Sequence, residues 1–498
     1  MSFEFTDVFE FELSPGSLTT ITDVLVDGVN ARRGIDGFGP NDRCARTGTF
    51  TFTLRTDVGN SGGKQGYYSP GHPNCRAGFG LNTKVVWRTS PGGAIPAFTF
   101  FTGTVSRITP LPGVVREETV VVEAVDWIDQ AARSTTNVGL QLNKRSDEII
   151  DAILDGCVVS PLSRSLDVGR SSFPYAMHNV RDEHTKALTA ISDTTKSESG
   201  WFYLLGNGTA RFESRGLRVN TSPAFVLNDS FHDVDVGYDR STIYNGITAV
   251  VHPTTVAASA TTVLASITEP VLLEVGTSIE NFDPFVDASN ANRRCGGTDM
   301  VDPPVAGTDY KFNSQKDGLG TNLISSLSVT AVFSANGVTW SMANTGLVKG
   351  YVTVRQCRGR GLYDYAPVSV IVSDAASVAT YGECPITIDM PSQSNEDTVR
   401  DFAYYILIMY AYPTSRPFSV SFLAVDELVD HALTAEIGTR FSLIETVSGI
   451  SADFFIQSVE YAYDRGRLRA TYGLTSADTD RFFVLGVSGI GEDSVLGY

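Results

Sequence analysis

The sequence predicts a mainly β chain with a smaller α+β part: two β-barrels, an α+β module and an inserted β-sandwich. Three observations point there. Apolar–polar alternation fills both ends of the 498-residue chain. Helical spacing is confined to a few short stretches. Residues 257–372 hold short strand patterns separated by Gly, Asn and Pro, with no helix signal.

Residues 1–135 read as the first barrel. Ile21–Val29 and Thr47–Arg55 alternate, and a Gly/Ser/Asn/Pro loop fills Thr56 to Gly80. Val85–Arg88, Phe98–Ile108 and Thr119–Ala124 follow, the last two joined by the turn Thr109–Gly113. Residues 136–228 read as the α+β module. Ser146 caps a helix whose first turn carries Asp147 and Glu148 and whose stripe is Ile149, Ile150, Ile153 and Leu154; Gly156 stops it. A second helix is predicted from about Asp182 to Lys196, with Ala187, Leu188 and Ile191 inward. Trp201–Leu205 and Thr209–Arg215 form a hairpin around Gly206-Asn207-Gly208, because Asn-Gly favours a two-residue turn.

Residues 229–256 and 373–480 read as the second barrel with a helix, interrupted by the 257–372 sandwich. Ser394 and Asp397 form a capping box; Val399, Phe402, Ala403, Ile406 and Tyr410 follow at helical spacing, and Pro413 ends the helix. The best-patterned stretch closes this barrel. Phe455, Val459, Tyr461 and Tyr463 line one strand face, and Asp464-Arg465-Gly466 turns the chain. Leu468, Ala470, Tyr472 and Leu474 line the return strand, with Arg467, Arg469 and Thr471 opposite. This hairpin echoes an earlier one. Phe454-Phe455, Val459, Gly466 and Asp478 are spaced like Phe100-Phe101, Val105, Gly113 and Asp126. Two barrels of one kind are therefore expected at opposite ends of the chain. Residues 481–498 form a C-terminal tail.

Composition narrows the chemistry. The formal charge of −18 argues against wrapping nucleic acid in a basic groove. It is compatible with a surface past which DNA slides without sticking. No apolar run is long enough to span a membrane, so no membrane insertion is expected, and the acidic N-terminus lacks the basic region of a signal peptide. Cys44, Cys75, Cys157, Cys295, Cys357 and Cys384 form no CxxC, which removes sequence support for a zinc or iron–sulfur site. Buried free thiols are the default; a Cys44–Cys75 disulfide is the alternative.

No HExxH, GxSxG, P-loop or dinucleotide fingerprint is present. His72, His178, His184, His232, His252 and His431 are scattered. Asp229, Asp233, Asp235 and Asp239 could hold a hard cation through carboxylate oxygens, but they lack the calcium-loop glycine; solvated strand edges are the simpler reading. Tyr310, Phe312, Trp340, Tyr351, Tyr363 and Tyr365 in the insert could carry a sugar or a partner, with core packing as the simpler reading. No catalytic, cofactor or metal residue is assigned, and the chain is not expected to be an enzyme.

Several segments, in order, resemble the tail hub (minor tail, baseplate hub) proteins of tailed bacteriophages. They are TFFTGTVSRITPLPG with ETVVVEAVDWIDQAA, then GWFYLLGNGTARFESR, Tyr244–Thr248, SVATYGECPITI with SNEDTVRDFAYYIL, ISADFFIQSVEYAYDRGRLRATYGL and FFVLGVSGIGEDSVLGY. The resemblance spans nearly the whole chain and rests on the order of weak motifs. It implies two tube-like β-barrels, an α+β hub domain and a homotrimer. Three chains then present six barrels to a six-fold tail tube and three-fold symmetry below. It also implies a virion tail-tip location after assembly in the host cytoplasm. The implied partners are distal tail or tail tube proteins, tape measure protein, tail fibre or tip proteins, and phage DNA crossing the channel without sequence-specific contact. Many hubs carry a peptidase or glycan-cleaving domain; none is expected here, so lytic activity is not carried over. The alternative is a receptor- or glycan-binding tip protein acting through 257–372.

Overall fold

The computed structural model describes residues 7–89, 97–111, 118–177, 184–218, 221–334, 336–413, 416–477, 482–483 and 495–496. The chain is mainly β with a smaller α+β part, and the two ends of the sequence meet in one thirteen-stranded sheet. Its strands are β1 (Asp7–Ser14), β2 (Ser17–Thr20), β3 (Val24–Gly34), β4 (Arg46–Arg55), β5 (Lys84–Thr89), β6 (Thr99–Leu111) and β7 (Thr119–Val125) from the first end. The second end supplies β8 (Val226–Asn228), β9 (Asp233–Gly237), β10 (Arg416–Leu423), β11 (Arg440–Glu445), β12 (Ile450–Asp464) and β13 (Arg467–Ser476).

The strand order is the main result. From one end the sheet runs β9-β10-β13-β12-β3-β4-β7-β6-β5-β1-β2, with β11 on the outer edge of β12 and β8 beside β11. The run β3-β4-β7-β6-β5 and the run β9-β10-β13-β12-β11 are therefore the same pattern, each antiparallel throughout. The two echoing hairpins, β6–β7 and β12–β13, occupy equivalent places in that pattern. The halves join where Val29–Gly34 of β3 pairs with Ser458–Tyr463 of β12. Among the described residues the ladder closes into no ring: β9 and β2 stand at its ends.

One apolar core serves both halves. Phe50, Phe52, Trp87, Phe100 and Phe101 from the first pack in the same cluster as Phe441, Phe454, Ile456, Tyr461 and Tyr472 from the second. Leu468, Ala470, Tyr472 and Leu474 are all buried, as the alternation predicts. The β12–β13 turn places both Arg465 (φ 49°) and Gly466 (φ 78°) in the left-handed region, the geometry of a two-residue I′ hairpin. The first hairpin differs from its expected form. Thr109, Pro110 and Leu111 continue β6, paired with Val121, Val120 and Thr119, and Gly113 lies outside the described residues.

The α+β module packs three helices, α1 (Trp127–Arg133), α2 (Ser146–Asp155) and α3 (Ala187–Glu198), against the hairpin Trp201–Leu204/Thr209–Glu213. Ile149, Ile150, Ile153 and Leu154 are fully buried. Arg145 occupies the α2 cap position in place of Ser146, whose hydroxyl instead donates to Glu198 Oε2 (3.1 Å). α3 begins at Ala187, after an extended Lys186, and so later than the expected start near Asp182, which itself lies outside the described residues.

Residues assigned to the second barrel divide. Gly246–Val251, Val368–Ser373 and Pro385–Met390 make a separate three-stranded sheet covered by α5 (Glu396–Tyr410), with its own core of Ile247, Val372, Ile388, Phe402 and Ile406. A shorter helix, α4 (Ala375–Tyr381), links its strands, and α6 (Leu428–Thr434) links β10 to β11. Asn395, one residue beyond Ser394, caps α5 by accepting from the Asp397 and Thr398 amides. The insert between Val251 and Val368 forms two larger sheets, one centred on Gly350–Asp364 and one on Gly337–Asn344, and a two-stranded one of Val286–Asp287 and Asn290–Arg294, around Leu264, Phe285, Phe312, Trp340 and Val352.

Candidate functional site

The three regions that local pattern separates meet at two buried arginines. Arg33 lies on β3, on the same strand face as the buried Val29 and Ala31. Its side chain is only 2% exposed. Nη1 and Nη2 donate to Glu436 Oε2 (2.6 Å) and Oε1 (2.7 Å), a bidentate fork. Nε donates to the Phe100 carbonyl (3.0 Å) on β6, and Nη1 also to the Leu204 carbonyl (3.3 Å) of the α+β hairpin. The Gly206 amide donates to Glu436 Oε1 (3.2 Å). One ion pair thus ties the first half, the α+β module and the second half together. Gly206 fits because a Cβ there would run into the Thr99 carbonyl oxygen. Nearby, burial pushes Asp126, the cap of α1, up to about 7 even though the Gly48 and Ile128 amides and Arg33 favour its charge.

Arg218 makes a second tie. Nε donates to Glu213 Oε2 (2.8 Å) and Nη1 to Gln457 Oε1 (3.1 Å) on β12. Tyr203 OH donates to the other Glu213 oxygen (2.7 Å), and burial holds that phenol well above its ordinary pKa. The Arg218 guanidinium stacks over Trp201 at 4.0 Å, and that of Arg43 lies over the same ring at 4.7 Å. Arg43, Trp201, Arg218, Phe455 and the β13 end line a cavity of about 70 Å³, and an adjoining cavity of about 200 Å³ continues past Tyr244 and Phe418.

The residues singled out in the sequence do not converge. His252 bonds Asp389 (2.6 Å), His431 stacks on Phe225 at 4.4 Å, and His72 accepts from the Asn74 amide. His184 and His232 stand elsewhere, and His178 lies outside the described residues. Asp233 and Asp235 sit on β9, Asp239 caps the turn Arg240–Thr242, and Asp229 accepts from the Thr446 amide. Among the described residues no group of His, Cys, Asp or Glu is arranged to hold a metal. All six cysteines are free; Cys44 packs on the α+β core and Cys75 on the large sheet core, so they do not pair. In the insert, Phe312 and Trp340 are core; Tyr310 and Tyr363 flank that core, Tyr351 is half-buried and Tyr365 is exposed. Sequence reasoning missed Arg33 and Arg218. The available signal was charge inside strand-like or aromatic-rich segments; Glu436 and Gln457, which complete the two ties, lie hundreds of residues away.

No family model and no curated protein match the sequence. Solved structures do. The tail protein from Neisseria meningitidis MC58 superposes with a TM-score of 0.50 at 8% identity, over 95% of this chain and 97% of that one. The chain has a tail-protein fold. The 43 kDa tail protein of prophage MuSo2 from Shewanella oneidensis also aligns, over 95% of this chain and 99% of that one, with a TM-score of 0.48 and 9% identity. Within this tail-protein fold, the Arg33–Glu436 pair sits beside the β3–β12 seam that joins the repeated halves.

Proposed function

We propose that the chain is the structural tail hub of a tailed phage. In this reading it is a homotrimer that adapts a six-fold tail tube to a three-fold tip. It lines and closes the DNA channel and anchors tape-measure and fibre proteins.

The observation that carries this reading is the in-chain seam between repeated units. The first strand of unit one, β3, pairs with the far half of β12, the fourth strand of unit two. The equivalent pair for a further copy is β9, the first strand of unit two, with the far half of β6. Both edges are available: β9 ends the sheet, and beyond Val105 the outer edge of β6 has no ladder partner among the described residues. Repeating the seam between chains alternates units one and two around a ring, and three chains supply six units. Asp233 and Asp235 on β9 then have a use. Charges on an open edge discourage indiscriminate strand pairing while allowing the matched one, beside Arg107 on β6. The net charge of −18 per chain suits a wall that DNA passes without adhering.

Light scattering of the purified chain at micromolar concentration tests the reading, with a trimer expected. Proline at Val234 or Asp235 removes an amide from β9. The substitution whose amide faces outward should abolish the trimer and leave the monomer folded. A chain that stays monomeric, or trimers that survive both substitutions, would overturn the reading. A density map of intact tails lacking this chain at the tip would do the same. The receptor-binding alternative gains little, because Phe312 and Trp340 of the insert are spent on its own core.

A further inference from the structure

The cavity of about 70 Å³ has room for water or a small ion. Its charge is unusual for an acidic chain. Arg43 is buried and donates to two carbonyls, Pro40 O (2.9 Å) and Ser199 O (3.3 Å), yet forms no ion pair among the described residues. Arg218 is 4% exposed, and its Nη2 is buried with no hydrogen-bond partner among the described residues, although Nε and Nη1 are both used. A buried, unpartnered guanidinium donor is costly, and such a group is retained where a ligand completes it. The two guanidinium planes lie on the one indole of Trp201, which fixes their spacing. Asp42, also on the lining, accepts from the Gly39 amide (2.9 Å), so part of its charge is already engaged.

We propose that this cavity binds an oxyanion, a phosphate or a carboxylate, between Arg43 and Arg218. The Nη2 donor left open on Arg218 suits one oxygen of either group, Arg43 supplies the second positive charge, and Trp201 keeps both cations from turning away. The site lies where the α+β module meets β12 and β13, so the bound anion bridges these parts.

Calorimetric titration of the full chain with inorganic phosphate, exchanged against chloride at constant ionic strength, is the test. One saturable site per chain is expected, with a change in Trp201 fluorescence. Arg43→Gln should weaken binding at least tenfold. Arg218→Lys keeps the charge toward Glu213 but loses the open Nη2 donor, and should weaken binding to a similar extent. An acetate arm distinguishes the sources: acetate displacing phosphate at lower concentration marks a carboxylate site, and the reverse marks a phosphate site. Heats identical to chloride, or unchanged affinity in both variants, would overturn the proposal.

Discussion

Glu436→Gln isolates the tie between the three regions. The substitution keeps the volume and removes the charge. Arg33 and Glu436 side chains are 2% and 22% exposed, so the orphaned guanidinium cannot recover its hydration without opening the junction. With its oxygen in place of Oε1 the new amide still accepts from Arg33 Nη2 and the Gly206 amide, but its NH2 group replaces Oε2 and meets Arg33 Nη1 donor against donor. Removing one partner of such a buried pair costs about 3–5 kcal/mol. At 1.36 kcal/mol per decade that is about two to nearly four orders of magnitude in the local opening equilibrium. Native-state hydrogen exchange at the Gly206 and Gly438 amides reads it directly, since they donate to Glu436 Oε1 and to the Ile456 carbonyl. The double variant Arg33→Met/Glu436→Met removes both charges and should recover most of the loss. Exchange within about tenfold of wild type in Glu436→Gln, roughly 1.4 kcal/mol, would refute the argument. So would a double variant no better than the single.

Three further outcomes follow from individual sites. Asp126 has its pKa raised from 3.8 to about 7 by burial, so the folded state binds a proton that the unfolded state releases above pH 4. Its stability contribution is present in full below about pH 4 and lost as pH rises through 7. Asp126→Asn should therefore flatten the urea stability profile over that window by up to about 4 kcal/mol. A variant profile parallel to wild type would contradict this. Gly206→Ala drives a methyl into the Thr99 carbonyl and should cost about 1–3 kcal/mol in the same assay. Trp340 is 1% exposed, but its indole nitrogen has no hydrogen-bond partner among the described residues. Trp340→Ala should cost about 3–5 kcal/mol and Trp340→Phe markedly less, because Phe removes an unsatisfied donor along with area.

The sequence is legible wherever one face of an element is buried and its partner is near. Leu468, Ala470, Tyr472 and Leu474 follow because a half-buried strand must alternate, and Gly206-Asn207-Gly208 follows because Gly208 needs a φ of 82°. The α2 and α5 stripes are readable for the same reason, although their caps slip by one residue, since Ser146 and Arg145, or Ser394 and Asn395, give the same local phase. Pairing between distant strands leaves no such trace. Gly246–Val251 alternates identically whether it joins β9 or, as found, Val368–Ser373. Nothing local names the partner of Arg33, because that partner lies 403 residues away. The duplicated hairpin was visible; that the two copies share one sheet through β3 and β12 was not, because neither strand's own pattern names its neighbour.

The position of the insert makes a final prediction. In unit one, β3 passes to β4 through residues 35–45; in unit two the same connection, β9 to β10, contains everything from 238 to 415. Within that excursion the sandwich leaves and returns through direct register partners, Val251 and Val368. Its core shares no residue with the core of the three-stranded sheet beneath α5. Replacing residues 252–367 with Asn-Gly would close Val251 onto Val368 as a two-residue hairpin. The links lost at the boundary are few, chiefly His252 to Asp389 and the His252 amide to the Gln393 carbonyl. Distant, independent units add, so the stability of the thirteen-stranded sheet should change by no more than about 0.5 kcal/mol. The shortened chain should still assemble to the state of the full one. If it aggregates or the sheet melts early, the sandwich is part of the scaffold. If it assembles into tails that no longer adsorb to cells, the insert reads the host surface and the repeated units alone build the tube, because the seam strands β3, β12, β6 and β9 all remain intact.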